Sequence, residues 1–158
     1  MRAHTRLIGL TGVLAIAAAV AIGAQAKDPV VGMWMLDTAK STYKPGPAPK
    51  SVMLTIDAAD KGFKVSVDAV GPDGTPSKWS FTSEEGKDVP VTGNPAYDTA
   101  ALTRESATNA TTVYKKGGKT VVTVKSVVSA DGKTLTTTST GTNPAGQPMT
   151  NVAVYMKH

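Results

Sequence analysis

The chain has 158 residues, no cysteine and a formal net charge of +5, with 41% apolar residues. Lacking cysteine, it has no disulfide framework and no thiol nucleophile. Its lysines are scattered, and the densest pair, Lys115-Lys116, sits beside Gly117-Gly118 as a turn would. The sequence therefore lacks the basic groove with interleaved aromatics that marks a nucleic-acid binder.

Residues 1–26 read as a helical signal peptide. Arg2 and Arg6 charge its start, Leu7 to Ile22 is an apolar and small-residue run, and Ala24-Gln25-Ala26 offers small residues where a signal peptidase cuts. The run falls short of the roughly 20 residues a spanning helix needs. A retained membrane anchor is the alternative, but no basic stop-transfer cluster follows. Residues 27–158 then form one domain with no membrane span, expected in a bacterial periplasm or secreted. That domain is large enough to bury about two-thirds of its unfolded surface.

Its opening strand is Val30 to Leu36, and Asp37 to Ser41 suits a single helical turn. Pro45-Gly46-Pro47-Ala48-Pro49 forbids helix and ladder pairing, so it runs as an extended connector with no room for a helical lid. Val52, Leu54 and Ile56 then alternate with polar neighbours, as do Phe63, Val65, Val67 and Ala69 after an Asp60-Lys61-Gly62 turn. Lys78 to Thr82 places Trp79 and Phe81 on one face. Asp88 to Thr92 is a short strand in which Pro90 marks an edge or bulge. Thr99 to Glu105, Thr111 to Lys116 and Thr120 to Ser129 follow. Asp131-Gly132 signals a tight hairpin, and Thr134 to Gly141 and Met149 to Met156 complete the chain. The fold class is all-β: an antiparallel up-and-down β-barrel of about ten strands, preferred over a sandwich because closure removes exposed edges.

Gly32-Met33-Trp34 near the start, the strand meander and the closing Val154-Tyr155-Met156-Lys157 together resemble the lipocalin and fatty-acid-binding-protein (calycin) superfamily. Residues 44–50, 89–95 and 128–135 further resemble small exported bacterial proteins with that barrel. The resemblance implies that Gly32 and Trp34 belong to a barrel-closing element. It also implies a basic side chain across Trp34, for which Arg104, the one arginine after the leader, is the candidate; a solvated strand charge is the other reading of Arg104. Fatty-acid binders of this superfamily clamp a carboxylate with Arg-x-Tyr on the last strand, where this chain has Ala153-Val154-Tyr155, so that clamp is lacking. Tyr155 either lends its hydroxyl to a ligand or packs in the core.

Nucleophilic and metal chemistry find little support. His158 is the one histidine after the leader, which leaves no Ser/His or Cys/His pair and no imidazole site. Glu84, Glu85 and Asp88 flank a glycine turn and read as a solvated loop. No catalytic residue, metal or cofactor is assigned, and the expectation is a non-enzyme. Two functions remain. In the first, a monomeric barrel underfilled by its small side chains holds a small hydrophobic ligand of lipid or isoprenoid type. Its cavity wall would include Phe63, Val65, Val67, Trp79, Phe81, Tyr114, Met149 and Tyr155. In the second, the loops dock on an envelope protein or inhibit a protease, with an exposed apolar patch at Tyr43 to Pro49 or Pro95 to Tyr97.

Overall fold

A computed structural model describes residues 27–158; the expected leader lies outside the described residues. Ten antiparallel strands make one sheet: β1 Gly32–Lys44, β2 Ser51–Ala59, β3 Gly62–Val70, β4 Pro76–Thr82, β5 Val89–Pro90, β6 Thr99–Arg104, β7 Asn109–Lys116, β8 Lys119–Val128, β9 Thr134–Thr142 and β10 Pro148–Lys157. Strands adjacent in sequence pair throughout except β4 with β5, and β1 also pairs with β10, curling the meander into a nearly closed barrel. The remaining seam, between β4 and β5, is thin. It is bridged by Ser80 and Thr92 alone, whose N–H groups each donate to the other's carbonyl at 2.9 Å.

The expected alternation sets the two faces. Val52, Leu54, Phe63, Val67, Trp79 and Phe81 turn inward, while charged partners such as Lys64, Asp68, Lys78 and Lys125 occupy the intervening outward positions. Apolar-in and polar-out is the reverse of a barrel walled against lipid. Among the described residues the exposed large apolar ones are Met33, Met35, Val127 and Met156. All four sit on the outer wall, not on the loops at residues 43–49 and 95–97.

Three local expectations are corrected. The opening strand starts at Gly32 rather than Val30 and runs on to Lys44, with no helical turn after Leu36. Instead, residues 38–41 bulge out and oppose Ala153 alone, between the pairs Asp37–Val154 and Thr42–Val152. Asp37 does cap, as its composition suggests, since its Oδ1 accepts the Lys40 N–H at 3.2 Å. Ser41 then repairs the ladder: its hydroxyl donates to the Asp37 carbonyl at 2.7 Å and accepts the Val154 N–H at 2.9 Å. The strand expected over Asp88 to Thr92 shrinks to Val89–Pro90, because Pro90 has no N–H to give the seam.

Trp34 closes one end. It is fully buried with Leu135, Ile56 and Val128, and its indole N–H donates to the Val30 carbonyl at 2.9 Å. The cation across its ring is not Arg104, however, but Lys157, whose Nζ stands 4.7 Å from the ring centroid and donates to Pro29 O at 2.8 Å. The ladder explains the choice. Lys157 is the direct partner of Trp34 on the adjacent β10, while Arg104 is on β6, five places further round the sheet. Gly32 has its reason here too. Its φ is +144°, and a Cβ there would lie 2.8 Å from Lys157 Cε, so glycine leaves the passage through which the lysine stem crosses Trp34.

Replacing Trp34 with alanine is expected to lower stability by about 3–5 kcal/mol, read from urea unfolding. Gly93, with φ +89° and no space for a Cβ beside the Lys78 carbonyl, holds the β4/β5 seam. Gly93→Ala should therefore cost about 1–3 kcal/mol and raise amide exchange at Ser80 and Thr92 before the rest of the sheet.

Candidate ligand-binding site

The inward faces do not meet. They enclose a cavity of about 340 Å³ that runs from Tyr43 and Pro49 at one end to Val30 and Arg104 at the other. The volume falls at the lower end of the roughly 300–1,000 Å³ usual for small-molecule sites. The hollow follows from the side chains available: Val52, Val65, Val67, Ala69, Val122 and Val124 are short, and the large rings gather on one side.

That side is an aromatic cluster built by β4, β7 and the loop before β6. Tyr114 stacks on Tyr97 with centroids 4.7 Å apart and meets Trp79 and Phe81 edge-on at 5.7 and 5.9 Å. These are the arrangements that aromatic quadrupoles favour. Tyr97 is set by a turn in which Asn94 Oδ1 accepts the Ala96 N–H at 2.9 Å.

All eight residues put forward from the sequence, Phe63, Val65, Val67, Trp79, Phe81, Tyr114, Met149 and Tyr155, border this cavity. Arg104 borders it as well, but its charge is already engaged. Its guanidinium pairs with the Asp28 carboxylate, donates to the Ser106 and Ala107 carbonyls, and lies 5.0 Å over the Phe63 ring. Ala153, in the place of the missing clamp arginine, is buried and apolar. The acidic group at the β4/β5 turn is spread over the surface, with Glu84 paired to Lys87 and Asp88 to Lys115.

Two wall residues, Tyr43 and Tyr97, escaped the sequence reading as wall residues. Strict alternation from Trp34 points Tyr43 outward, and only the bulge at residues 38–41 turns it in. Tyr97 lies outside any strand and has no period to betray it. With them, all four tyrosines of the chain line the hollow. Burial raises each phenol above its ordinary value of 10.0. For Tyr114 the neighbouring phenols Tyr97 and Tyr155 add to the burial effect, and for Tyr155 the neighbouring Tyr43 does so while Thr137 opposes it.

A ten-stranded up-and-down barrel enclosing an apolar cavity places the chain in the calycin fold, the lipocalin-like and fatty-acid-binding-protein architecture. Among solved structures it is similar to zebrafish ileal bile acid-binding protein, determined in complex with cholic acid, with a TM-score of 0.52 and 14% identity, covering 82% of this chain and 99% of that one. No protein-family model matches the sequence, and neither does any curated protein.

The phenols give a pH signature. Above pH 10 the unfolded chain releases tyrosine protons that the folded chain keeps, so the folded state binds more protons and stability falls as pH rises from about 10. Absorbance at 295 nm should show tyrosine ionisation displaced above 10 in the native protein and returned to about 10 in urea.

Proposed function

We propose that the protein is a non-catalytic carrier that holds a small hydrophobic molecule of lipid or isoprenoid type inside its barrel, working in the bacterial periplasm or outside the cell after removal of residues 1–26. The observation that carries this reading is the roughly 340 Å³ hollow walled by Val, Ala, Phe and Trp side chains. An apolar void gives its lining no partner atoms on one side, and a matching ligand restores those contacts. The bound cholic acid of the zebrafish protein adds support, because a barrel of the same fold holds a largely hydrocarbon molecule. The docking reading has less to stand on, since Tyr43, on β1, and Tyr97, in the loop before β6, both line the cavity.

Native mass spectrometry of protein purified from its own host, followed by organic extraction, should reveal a co-purifying apolar molecule. A filled variant, Val122→Trp, should retain the fold and lose that molecule. A saturating ligand should stabilise the protein by about 2.7 kcal/mol at a hundredfold excess over Kd, and the filled variant should show no such gain. Protein that returns bare from its host and gains no stability from any apolar compound would sink the proposal.

A further inference from the structure

We infer that the ligand is uncharged and carries a carbonyl oxygen, as a quinone or ketone does, which the tyrosine hydroxyls at Tyr97 and Tyr114 hold by hydrogen bonds. This rests on the carrier reading and narrows it.

The first observation is the state of those hydroxyls. Among the described residues Tyr43, Tyr97 and Tyr114 make no hydrogen bond to the protein through their phenol oxygens. They are not sealed into the packing either, since no buried side-chain oxygen or nitrogen is left both enclosed and unpartnered. All three residues line the hollow, and their oxygens are open to a partner. Tyr114 is the telling case, at 8% exposure, with ring faces and edges committed to Tyr97, Trp79 and Phe81 and its polar atom left for whatever enters. A polar group this far inside normally has a partner, and a ligand oxygen entering the hollow can supply it.

The second observation is charge. Among the described residues Arg104 is the one charged residue on the cavity wall. Its positive charge is balanced by Asp28, its other donors are directed at Ser106 O and Ala107 O, and its upper face is covered by Phe63. The remaining polar lining is neutral, with Thr112, Ser126, Thr137, Ser139 and Asn151 among it. An anion entering this space gives up its water and meets no free cation, a desolvation that hydroxyls alone do not offset.

The third is the direction of the hydrogen bonds. Burial holds the four phenols in the protonated form throughout the ordinary pH range, so each has an O–H to donate. A neutral carbonyl offers an acceptor and requires no counter-charge. A flat conjugated carbonyl, as in a quinone ring, also matches the faces and edges of Trp79, Tyr97 and Tyr114.

The test compares two probes on the delipidated protein by Trp fluorescence quenching and calorimetry near neutral pH: a decyl-substituted benzoquinone and a saturated fatty acid of similar size. The quinone should bind at least about tenfold more tightly than the carboxylate, with an affinity that is flat from mildly acidic to mildly alkaline solution. Tyr114→Phe and Tyr97→Phe, which keep the rings and remove the oxygens, should each weaken the quinone by about fivefold or more and leave the fatty acid unchanged. Melting curves of both variants check that the barrel is intact. A fatty acid that binds as well as the quinone would overturn this inference and leave the carrier reading standing. So would quinone binding indifferent to loss of both hydroxyls. If neither probe binds and a plain long-chain alkane fails as well, the carrier reading falls and takes this inference with it.

Discussion

Everything in this barrel depends on the first strand finding the last. Pairing between sequence neighbours alone would give two open sheets, β1–β4 and β5–β10, touching only at the Ser80–Thr92 bridge, and the β1/β10 ladder joins them into one curled wall. The contact is distant in sequence, as the bond between Ser41 and Val154 across 113 residues shows. Its closure entropy grows only slowly with that length, so it is a cost in folding rate more than in stability. The same ladder sets Lys157 over Trp34 and so decides how one end is plugged. The opposite seam is of another kind. Two hydrogen bonds and a glycine with no room for a side chain join β4 to β5. With so few backbone bonds, this is where the wall parts at least cost.

The cavity is a packing outcome rather than a separate design. A barrel of this strand number has more interior than the Val and Ala of β2, β3 and β8 fill. The rings that could fill it are drawn to one side by their preference for each other, Trp79, Phe81 and Tyr97 grouping around Tyr114. What is left is a mainly apolar space into which several neutral hydroxyl-bearing residues also face. The distinction matters because a phenol in such a space is costly without a partner, whereas a valine is not.

Much of this was legible in the chain. Period-2 alternation in β3 and β4 is strong enough to name the inward face, which is why Phe63, Val65, Val67, Trp79 and Phe81 border the hollow as read from the sequence. The failures have physical causes. Tyr43, expected in an exposed loop patch, instead lies on β1 and turns inward, because four bulged residues there oppose one on β10 and reverse the parity. Tyr97 belongs to a loop, where periodicity says nothing. Arg104 was the candidate for the cation across Trp34 and Lys157 was not, because the choice between them depends on which strand lies beside β1. That is a property of the closed barrel and not of any local window.

The plug itself draws on a segment that local patterning passes over. Three consecutive residues ahead of β1 each hold one of the side chains that finish the Trp34 end: Asp28 pairs with Arg104, the Pro29 carbonyl takes the Lys157 ammonium, and the Val30 carbonyl takes the Trp34 indole N–H. None of the three contacts is a strand contact, yet together they fix the two cations and the one large ring at that end. They also neutralise Arg104, which borders the cavity, so the segment that stoppers the barrel also helps to keep its interior uncharged. Without Asp28 the Arg104 guanidinium would stand at the cavity wall with no counter-charge, so this short segment, and not the strands, sets the electrostatics of that end of the hollow.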